Sequence, residues 1–341
     1  MMLSESMQSV GVDRAEAVLL ERICAAYNKA TQSQVENKIY CATTWWQSIE
    51  QKHLERVREA LRCGDLPRLH SMYSEFFHDA CGNGLVRRPP AYESDGFTEL
   101  DEDAQQVIRE DMLYRLGYWR AETQGRYPAS VLTGAKVGNP FGATIEGVFI
   151  PAGAEYQHAC ADRILSFVDG RSTVVELGGG FGHMAYFLLT ANCDVTYINF
   201  DVPESLALCA YYLGQSLPDK KLLLYGEQEF SCNSVSDFDV VLMPPSEMAR
   251  LTDKSVDMTF SSHVLADLAP PALGAYVGQI ARFTKGPVMA VSIEKSSEDR
   301  EALLRTMAAQ LRFIQERRWD WNKYRAPDAR EWEDLYMAVC I

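Results

Sequence analysis

The chain has 341 residues, of which 47% are apolar, a net charge of −14 and nine cysteines. Its length predicts two structural units with an ample core. The acidic balance disfavours nucleic acid as a substrate, because phosphates need a basic face. We expect no membrane span and no secretory signal, since the apolar runs are short and the start lacks a basic flank. Scattered cysteines, odd in number, are typical of a reduced cytoplasmic protein without a zinc site.

Residues 1–125 are predicted to form a mainly helical unit. Apolar residues recur at helical spacing over residues 13–30 and 35–61, and further helices are predicted over 67–81 and 100–120. Such a unit could cover a pocket or form the interface of a homodimer.

Residues 126–153 are rich in glycine and proline and yet carry apolar residues such as Val137 and Phe149. Long segments of this kind are either functional loops or connections, so we interpret this one as a lid or as a link between two units. A helix predicted over residues 154–168 follows and begins the second unit, residues 154–341.

Residues 173–184 predict a buried strand, a tight turn and the start of a helix. A dinucleotide-binding loop has glycines at its first, third and sixth places, but here His183 takes the sixth. The spacing instead resembles motif I of the class I S-adenosylmethionine-dependent methyltransferases, whose loop packs under the methionine part of the cofactor. The resemblance implies a cofactor site at Glu176, Gly178, Gly179, Gly180 and Gly182. Glu176 would be costly to bury unpaired, so a partner such as a cofactor amine is expected.

A second predicted strand, residues 195–201, ends in Asp201 about 20 residues after the glycines, the distance at which a carboxylate meets ribose hydroxyls. We therefore predict Asp201 as the ribose ligand, with Val202 beside it. The turn over residues 244–248 is the predicted wall for the adenine ring, through Pro244 and Ser246, and Met248 lies either on that ring or in the core. Ser261 is also placed at the cofactor.

The remaining pattern alternates strands and helices. Further strands are predicted over residues 238–245, 255–263, 287–293 and 335–341, and helices over 203–214, 270–283 and 298–313, while residues 221–225 fit either a strand or a helix tail. This order predicts an α/β fold, with a doubly wound, Rossmann-like and mostly parallel sheet whose last strand is antiparallel.

The segment Asp201-Val202-Pro203-Glu204, followed by the Tyr211-Tyr212 helix, is more particular than motif I. It resembles the sugar O-methyltransferase family, and the likeness extends over about residues 135–295. The resemblance implies S-adenosylmethionine as cofactor and a hydroxyl of a sugar or glycosylated metabolite as acceptor. The family often has Asn-Ser and Glu-Met where this chain has Ser261-Ser262-His263 and Ala266-Asp267, which leaves the acceptor open.

A sugar hydroxyl hardly ionises near neutrality, so a general base is expected. His263 follows a predicted strand at the carboxyl edge of the sheet, where open α/β sheets bind ligands, and is the predicted base. Its alternative role is a structural histidine in a helix cap. Asp267, four residues later, would orient the imidazole or stay solvated. His183 is interpreted as a cofactor-side or packing residue, and His158 as a solvent-exposed one.

Three acids, Asp201, Glu204 and Asp267, would suit magnesium if they converged, so a divalent metal is allowed but not favoured. The tryptophans Trp45, Trp46, Trp319 and Trp321 either stack on the acceptor or belong to the core. Three other functions stay open: methylation of a nitrogen, a carbon or a phenol, cofactor binding without catalysis, and nicotinamide-dependent oxidoreduction. The expected partner is a small molecule, not nucleic acid or membrane.

Overall fold

An eight-stranded sheet forms the centre of this computed structural model, which describes residues 12–86, 102–192, 194–231, 235–294, 296–319, 321 and 332–341. The strands of the described residues are β1 (Gly142–Ile145), β2 (Val148–Pro151), β3 (Ser172–Leu177), β4 (Val195–Phe200), β5 (Leu222–Leu224), β6 (Val240–Met243), β7 (Met258–Ser262), β8 (Pro287–Glu294), β9 (Leu311–Arg318) and β10 (Trp332–Cys340).

The sheet has the strand order β5-β6-β4-β3-β7-β8-β10-β9. Neighbouring strands from β5 to β8 run parallel, and β10 is antiparallel to both β8 and β9. This topology confirms the predicted doubly wound, mostly parallel sheet with an antiparallel last strand. The carboxyl ends of β3, β4 and β7 consequently meet at one edge, where such sheets bind ligands.

Helices cover both faces of the sheet. They are α1 (Arg14–Glu36), α2 (Thr44–Ile49), α3 (Glu55–Cys63), α4 (Leu66–Tyr73), α5 (Glu102–Glu122), α6 (Ala154–Leu165), α7 (His183–Ala191), α8 (Pro203–Ser216), α9 (Pro270–Phe283) and α10 (Ser297–Ala308). A π-helical turn, Glu50–Leu54, joins α2 to α3, and short 3-10 turns lie at Lys38–Tyr40, Ala80–Gly82, Ala129–Thr133, Pro245–Arg250 and Leu265–Asp267.

Two apolar cores lie on the two faces of the sheet. Because side chains alternate along a strand, Val174 of β3 belongs to one core and Val175 to the other. The first core also contains Tyr27 of α1 and Tyr212 of α8. The N-terminal helices and one face of the sheet thus share one continuous core.

Helix α1 packs closely on α8 and covers the edge strand β5. A Cβ on Gly214 would lie 2.7 Å from Leu19 Cδ2, so a larger residue there would force the Leu19 side chain to move. Arg22 Nε donates to Glu227 Oε1 at 2.6 Å, and its Nη2 donates to the Leu222 carbonyl at 2.8 Å. Covering an edge strand in this way protects it from pairing with another chain.

Three predicted helices differ from the structure. The helix predicted over residues 67–81 ends at Tyr73. The helix predicted over residues 35–61 is interrupted, because Thr43 accepts the Trp46 N–H at 3.2 Å and so caps a new helix. The helix predicted to reach Phe313 is wrong beyond Ala308, since residues 311–318 pair with β10. Residues 126–153 contain the hairpin β1–β2, which was not predicted. Residues 222–224 form a strand, which is one of the two alternatives given for residues 221–225.

Candidate functional site

A cavity of about 580 Å³ opens at the carboxyl edge of β3, β4 and β7. Its wall combines the glycine loop after β3, the turn after β4 and the segment after β7. It is lined by Cys41, Ala42, Thr43, Trp45, Trp46, Gly84, Leu85, Gln157, Glu176, Gly178, Gly179, Gly180, Phe181, His183, Phe200, Asp201, Val202, Ser205, Pro245, Ser262, His263, Val264, Asp267, Leu268, Tyr276 and Ile293. Its volume lies within the roughly 300–1,000 Å³ typical of small-molecule sites.

The glycine loop turns sharply between β3 and α7. Gly178 has φ +76° and Gly180 has φ +55°, a region that favours glycine. A Cβ on Gly178 would lie 2.1 Å from Val264 Cγ2, and one on Gly179 would lie 2.4 Å from the Tyr197 hydroxyl oxygen. The loop therefore needs glycine both for its backbone conformation and for its contacts with neighbouring residues.

The backbone N–H groups of Gly178, Gly179 and Gly180 are bonded within the protein. Gly178 N–H donates to the Phe200 carbonyl at 2.9 Å, and Gly179 N–H donates to Asn199 Oδ1 at 3.0 Å. Gly180 N–H donates to Asp201 Oδ2, also at 3.0 Å. Strand β4 thus fixes the loop through the Phe200 carbonyl and the Asn199 side chain, and Asp201, the residue after β4, adds a third acceptor. Sequence reasoning missed Asn199, although an amide inside an otherwise apolar strand was a visible signal.

Asp201 joins the loop to the start of α8. Its Oδ1 accepts the Val202 N–H at 2.7 Å, so both carboxylate oxygens have a backbone donor. Burial raises the pKa of Asp201 to about 7, while these backbone donors act in the opposite direction. The side chain lies on the cavity wall beside Val202 and Ser205, at the position predicted for a ribose ligand.

Glu176 is 3% exposed and lies on the wall of the cavity. The Tyr197 hydroxyl donates to its Oε2 at 2.5 Å. Burial raises the pKa of Glu176 to about 8, and the tyrosine hydroxyl only partly offsets this effect. A buried carboxyl group with a raised pKa would gain much from a cation placed beside it.

Four residues predicted at the cofactor lie outside the lining of this cavity. Gly182 caps α7, where a Cβ would lie 2.9 Å from Cys209 Sγ, so it serves the packing of α7 on α8. Pro244 precedes Pro245, which does line the cavity, and Ser246 Oγ lies 3.4 Å from Ser33 Oγ of α1. Ser261 donates to the Leu177 carbonyl at 3.3 Å.

His263 lies just past β7 and holds two side-chain partners. Its Nε2 lies 2.8 Å from Glu333 Oε1, and its Nδ1 lies 2.9 Å from Ser262 Oγ. The imidazole is 37% exposed, whereas the Glu333 side chain is 3% exposed. The structure thus orients the predicted base through Glu333 of β10, a residue that sequence reasoning missed. Asp267, which the sequence predicted to orient the imidazole or to stay solvated, lines the cavity at the end of the short turn Leu265–Asp267.

The backbone of His263 is in the left-handed region, with φ +66°, and its N–H donates to the Val291 carbonyl of β8 at 2.7 Å. This conformation costs a non-glycine residue about 1 kcal/mol. Strained backbones of this kind occur at functional sites, where the surrounding structure holds them in place. Here the hydrogen bond to the Val291 carbonyl of β8 keeps the His263 backbone in this conformation.

Tyr156 of α6 extends the polar contacts of His263. Its hydroxyl lies 2.7 Å from Ser262 Oγ, and its ring stacks near the imidazole at 6.0 Å between centroids. The rings of Trp319 and Trp321 lie 5.6 and 5.5 Å from that of Tyr156. Both tryptophans are fully buried, and neither lines the cavity.

The N-terminal helices form the roof of the cavity through residues 41–43, Trp45, Trp46, Gly84 and Leu85. Trp45 is 47% exposed, while Trp46 is buried. The ring of Tyr40 lies 5.5 Å from that of Tyr276, a wall residue of α9, which fastens the roof to the sheet domain. No residue of the segment 126–153 lines this cavity.

Two other histidines have distinct surroundings. Burial lowers the pKa of His183 to about 3, so this wall residue presents a neutral imidazole to the cavity. His158 accepts from Trp119 Nε1 at 3.2 Å, and burial lowers its pKa. Met248 is fully buried in the second core. His158 and Met248 do not line the cavity.

Within the described residues, no group of three or more histidine, cysteine, aspartate or glutamate side chains is arranged to hold a metal ion. In the same part of the chain, no helix combines the length and apolar character that crossing a membrane requires.

A scan against protein-family models found no matching family. A search of curated proteins found no similar sequence.

Similar solved structures include the geranyl diphosphate C-methyltransferase of Streptomyces coelicolor A3(2) in complex with Mg²⁺, geranyl diphosphate and S-adenosyl-L-homocysteine, at 13% identity and a TM-score of 0.40 over 70% of this chain and 97% of that one. The [4+2]-cyclase SpnF matches at 12% identity and 0.40, over 68% and 96%. Phosphoethanolamine N-methyltransferase 2 of Haemonchus contortus, with S-adenosyl-L-methionine, matches at 11% and 0.37, over 54% and 52%. Scores and identities this low show no function for this chain.

Proposed function

We propose that this protein is an S-adenosylmethionine-dependent methyltransferase whose acceptor is a hydroxyl group of a small molecule, most specifically of a sugar or a glycosylated metabolite. The observation that carries the proposal is the cavity shared by a glycine loop, the carboxyl group of Asp201 next to that loop, and an oriented imidazole. The sugar as acceptor rests on the resemblance of residues 201–212 and their surroundings.

The donor set of the glycine loop favours a cofactor without phosphate. A phosphate at a glycine loop needs free backbone N–H groups at a helix N-terminus. Here the N–H groups of Gly178, Gly179 and Gly180 donate to protein acceptors, and one of these acceptors is the Asp201 carboxylate. A pyrophosphate would meet negative charge where it needs donors, which argues against a nicotinamide dinucleotide.

The same wall suits a cationic nucleoside. Glu176 is the residue that would hold the ammonium group of S-adenosylmethionine, because burial leaves this carboxyl group in need of a cation. Asp201 would accept hydrogen bonds from the ribose hydroxyls, and the glycine loop would pack under the methionine part. The bound cofactor supplies a methyl group already activated by its sulfonium centre.

The protein must then align the acceptor hydroxyl and remove its proton. His263 and Glu333 provide a base whose orientation is fixed and whose positive charge, once the proton arrives, is balanced by a buried carboxylate. Methylation of an amine or an activated carbon has less need of this pair. The presence of an oriented base therefore favours a hydroxyl acceptor.

The test is an assay with S-adenosylmethionine and a panel of methyl glycosides, phenols and amines, in which S-adenosylhomocysteine is quantified. We expect product with a glycoside, and a loss of about 10²–10⁴-fold in kcat for His263→Ala, the usual contribution of a general base. Full activity of His263→Ala on an amine would assign a different acceptor. Cofactor binding without product from any acceptor class would support the non-catalytic alternative.

A further inference from the structure

We propose that Ser262 contacts the acceptor hydroxyl and passes its proton to His263, so that the imidazole acts through the serine. This inference rests on the proposed methyltransferase function and adds a catalytic residue to it. It starts from the finding that both ring nitrogens of His263 are already engaged, Nε2 with Glu333 and Nδ1 with Ser262.

The direction of each hydrogen bond follows from Glu333. Its Oε2 accepts the backbone N–H of Trp321 at 3.2 Å. A carboxylate has no hydrogen to donate, so Oε1, at 2.8 Å from His263 Nε2, accepts from that nitrogen. Nε2 therefore carries the ring hydrogen, and in the neutral imidazole Nδ1 keeps a lone pair. It follows that the Ser262 hydroxyl donates to Nδ1.

The hydroxyl of Ser262 has one hydrogen and two lone pairs. Because its hydrogen goes to His263, the contact at 2.7 Å with Tyr156 must be a donation from the tyrosine hydroxyl to Ser262 Oγ. This donation occupies one lone pair of Ser262 Oγ. The other lone pair can accept a hydrogen bond from a hydroxyl group of a molecule in the cavity, which Ser262 lines and Tyr156 does not.

The proposed step moves two protons and one methyl group. The acceptor O–H proton passes to Ser262 Oγ while the proton of Ser262 passes to His263 Nδ1, which leaves the serine neutral and the imidazole positively charged beside Glu333. The acceptor oxygen uses the released electron pair to bond the methyl carbon. The pair from the broken carbon–sulfur bond stays on sulfur, which becomes a neutral thioether.

Tyr156 is a positioning residue in this arrangement. Its donation holds the rotamer of Ser262, and its ring is fixed between the imidazole and the buried indoles of Trp319 and Trp321. Removing its hydroxyl in Tyr156→Phe should reduce kcat by only a few-fold, because the path from the cavity to His263 stays intact.

One experiment reads the direction of the bonds without an acceptor. ¹⁵N NMR of ring-labelled histidine, with S-adenosylhomocysteine present, should show the Nε2–H form of His263 with a hydrogen bond to Nδ1. The hydrogen bond should disappear in Ser262→Ala and remain in Ser262→Thr. An Nδ1–H form in the wild-type protein would overturn the relay, because that nitrogen could then not take a proton from serine.

A kinetic experiment, with methyl α-D-glucopyranoside and methyl α-L-rhamnopyranoside as probes, tests the transfer itself. We expect kcat to fall about 10–100-fold in Ser262→Ala and to fall no further when this change is added to His263→Ala, since the two residues act as one unit. In the wild type, the dependence of kcat on the deuterium fraction of the solvent should fit two transferred protons. In Ser262→Ala it should fit one. Retained kcat, or additive losses, would overturn the proposal.

Calorimetry with S-adenosylhomocysteine separates this proposal from the function on which it rests. Wild-type protein that binds none contradicts the methyltransferase function. Normal binding in all variants, combined with full activity of Ser262→Ala, contradicts the relay alone. The tautomer of His263 decides the relay even where neither glycoside is methylated.

Discussion

Glu333 Oε1 lies 2.8 Å from His263 Nε2, so the last strand of the sheet orients an imidazole that lies 70 residues earlier in the chain. Glu333 is opposite Ile293 in the register of β10 and β8, and β8 pairs with β7, which ends just before His263. The proposed base therefore depends on the antiparallel end of the sheet, whereas the glycine loop and Asp201 depend only on its parallel part.

Changing Glu333 to glutamine should separate catalysis from cofactor binding. The amide keeps the shape of the side chain but loses the negative charge that balances the protonated imidazole. We expect kcat to fall about 10–100-fold, with the affinity for S-adenosylhomocysteine unchanged. Asp334→Asn is the matched control, because this neighbouring acid pairs with Arg300 instead. Equal losses in the two variants would remove the special role of Glu333.

Cofactor binding should release protons. Burial raises the pKa of Glu176 to about 8, so near pH 7 this carboxyl group is mostly protonated in the free protein. A bound ammonium group favours the ionised form and lowers that pKa, so binding at pH 7 should release about one proton from Glu176. Calorimetry in phosphate and in Tris, whose ionisation heats differ, measures the number released.

The Glu176→Gln variant is the control for this release, because an amide cannot ionise. It should release clearly fewer protons than the wild type and bind S-adenosylmethionine more weakly. Uptake of protons by the wild-type protein, or a binding heat independent of the buffer, would contradict the placement of the ammonium group at Glu176.

The glycine loop should tolerate no side chain at Gly178. Alanine there must adopt φ +76° and place its Cβ 2.1 Å from Val264 Cγ2. Gly147 at the tip of the β1–β2 hairpin has φ +78° and open space around it, so Gly147→Ala isolates the backbone cost. We expect about 1 kcal/mol of destabilisation for Gly147→Ala and about 1–3 kcal/mol more for Gly178→Ala, measured by urea unfolding. Equal costs would mean that the Val264 side chain moves away from the new Cβ without a measurable loss of stability.

An ion pair between the partly exposed Arg58 and the buried Glu204 should link the N-terminal helices to α8. Arg58 Nε lies 3.2 Å from Glu204 Oε1, which also accepts from the Tyr27 hydroxyl at 3.1 Å. Arg58→Met leaves this carboxylate buried without its cation, and we expect a loss of about 3 kcal/mol in the free energy of unfolding at neutral pH.

Arg62 on the same helix provides the comparison for Arg58. It pairs with Glu55 at 2.8 Å, and both side chains are more than half exposed, so Arg62→Met should change stability by less than about 0.5 kcal/mol. The double variant Arg58→Met, Glu204→Gln should recover part of the loss. If it does not, the packing of the Arg58 side chain, and not its charge, stabilises the contact between α3 and α8.

Local patterns were enough to predict the parallel part of the sheet and the loop after β3. Glu176, the glycines and Asp201 lie on consecutive elements of one strand–helix–strand unit, so sequence spacing translates directly into spatial proximity. The same pattern could have identified Asn199, a lone amide among apolar strand residues.

Contacts between distant elements could not be predicted in this way. Glu333 meets His263 only because β10 returns antiparallel beside β8, and the strand predicted over residues 335–341 did not include Glu333. Strand β9 is mostly exposed, so its apolar alternation is weak and its pairing with β10 decides its structure. The break after α1, which brings residues 41–43 over the cavity, carries no glycine or proline to mark it.

Isothermal titration calorimetry of the purified protein, with S-adenosylhomocysteine and separately with NADH, shows which cofactor the cavity binds. We predict one binding site for S-adenosylhomocysteine, at least about 10-fold weaker in Asp201→Ala because the ribose loses its hydrogen-bond acceptor, and no measurable binding of NADH. Binding of NADH in place of S-adenosylhomocysteine, or equal affinity of the wild type and Asp201→Ala, would contradict this prediction.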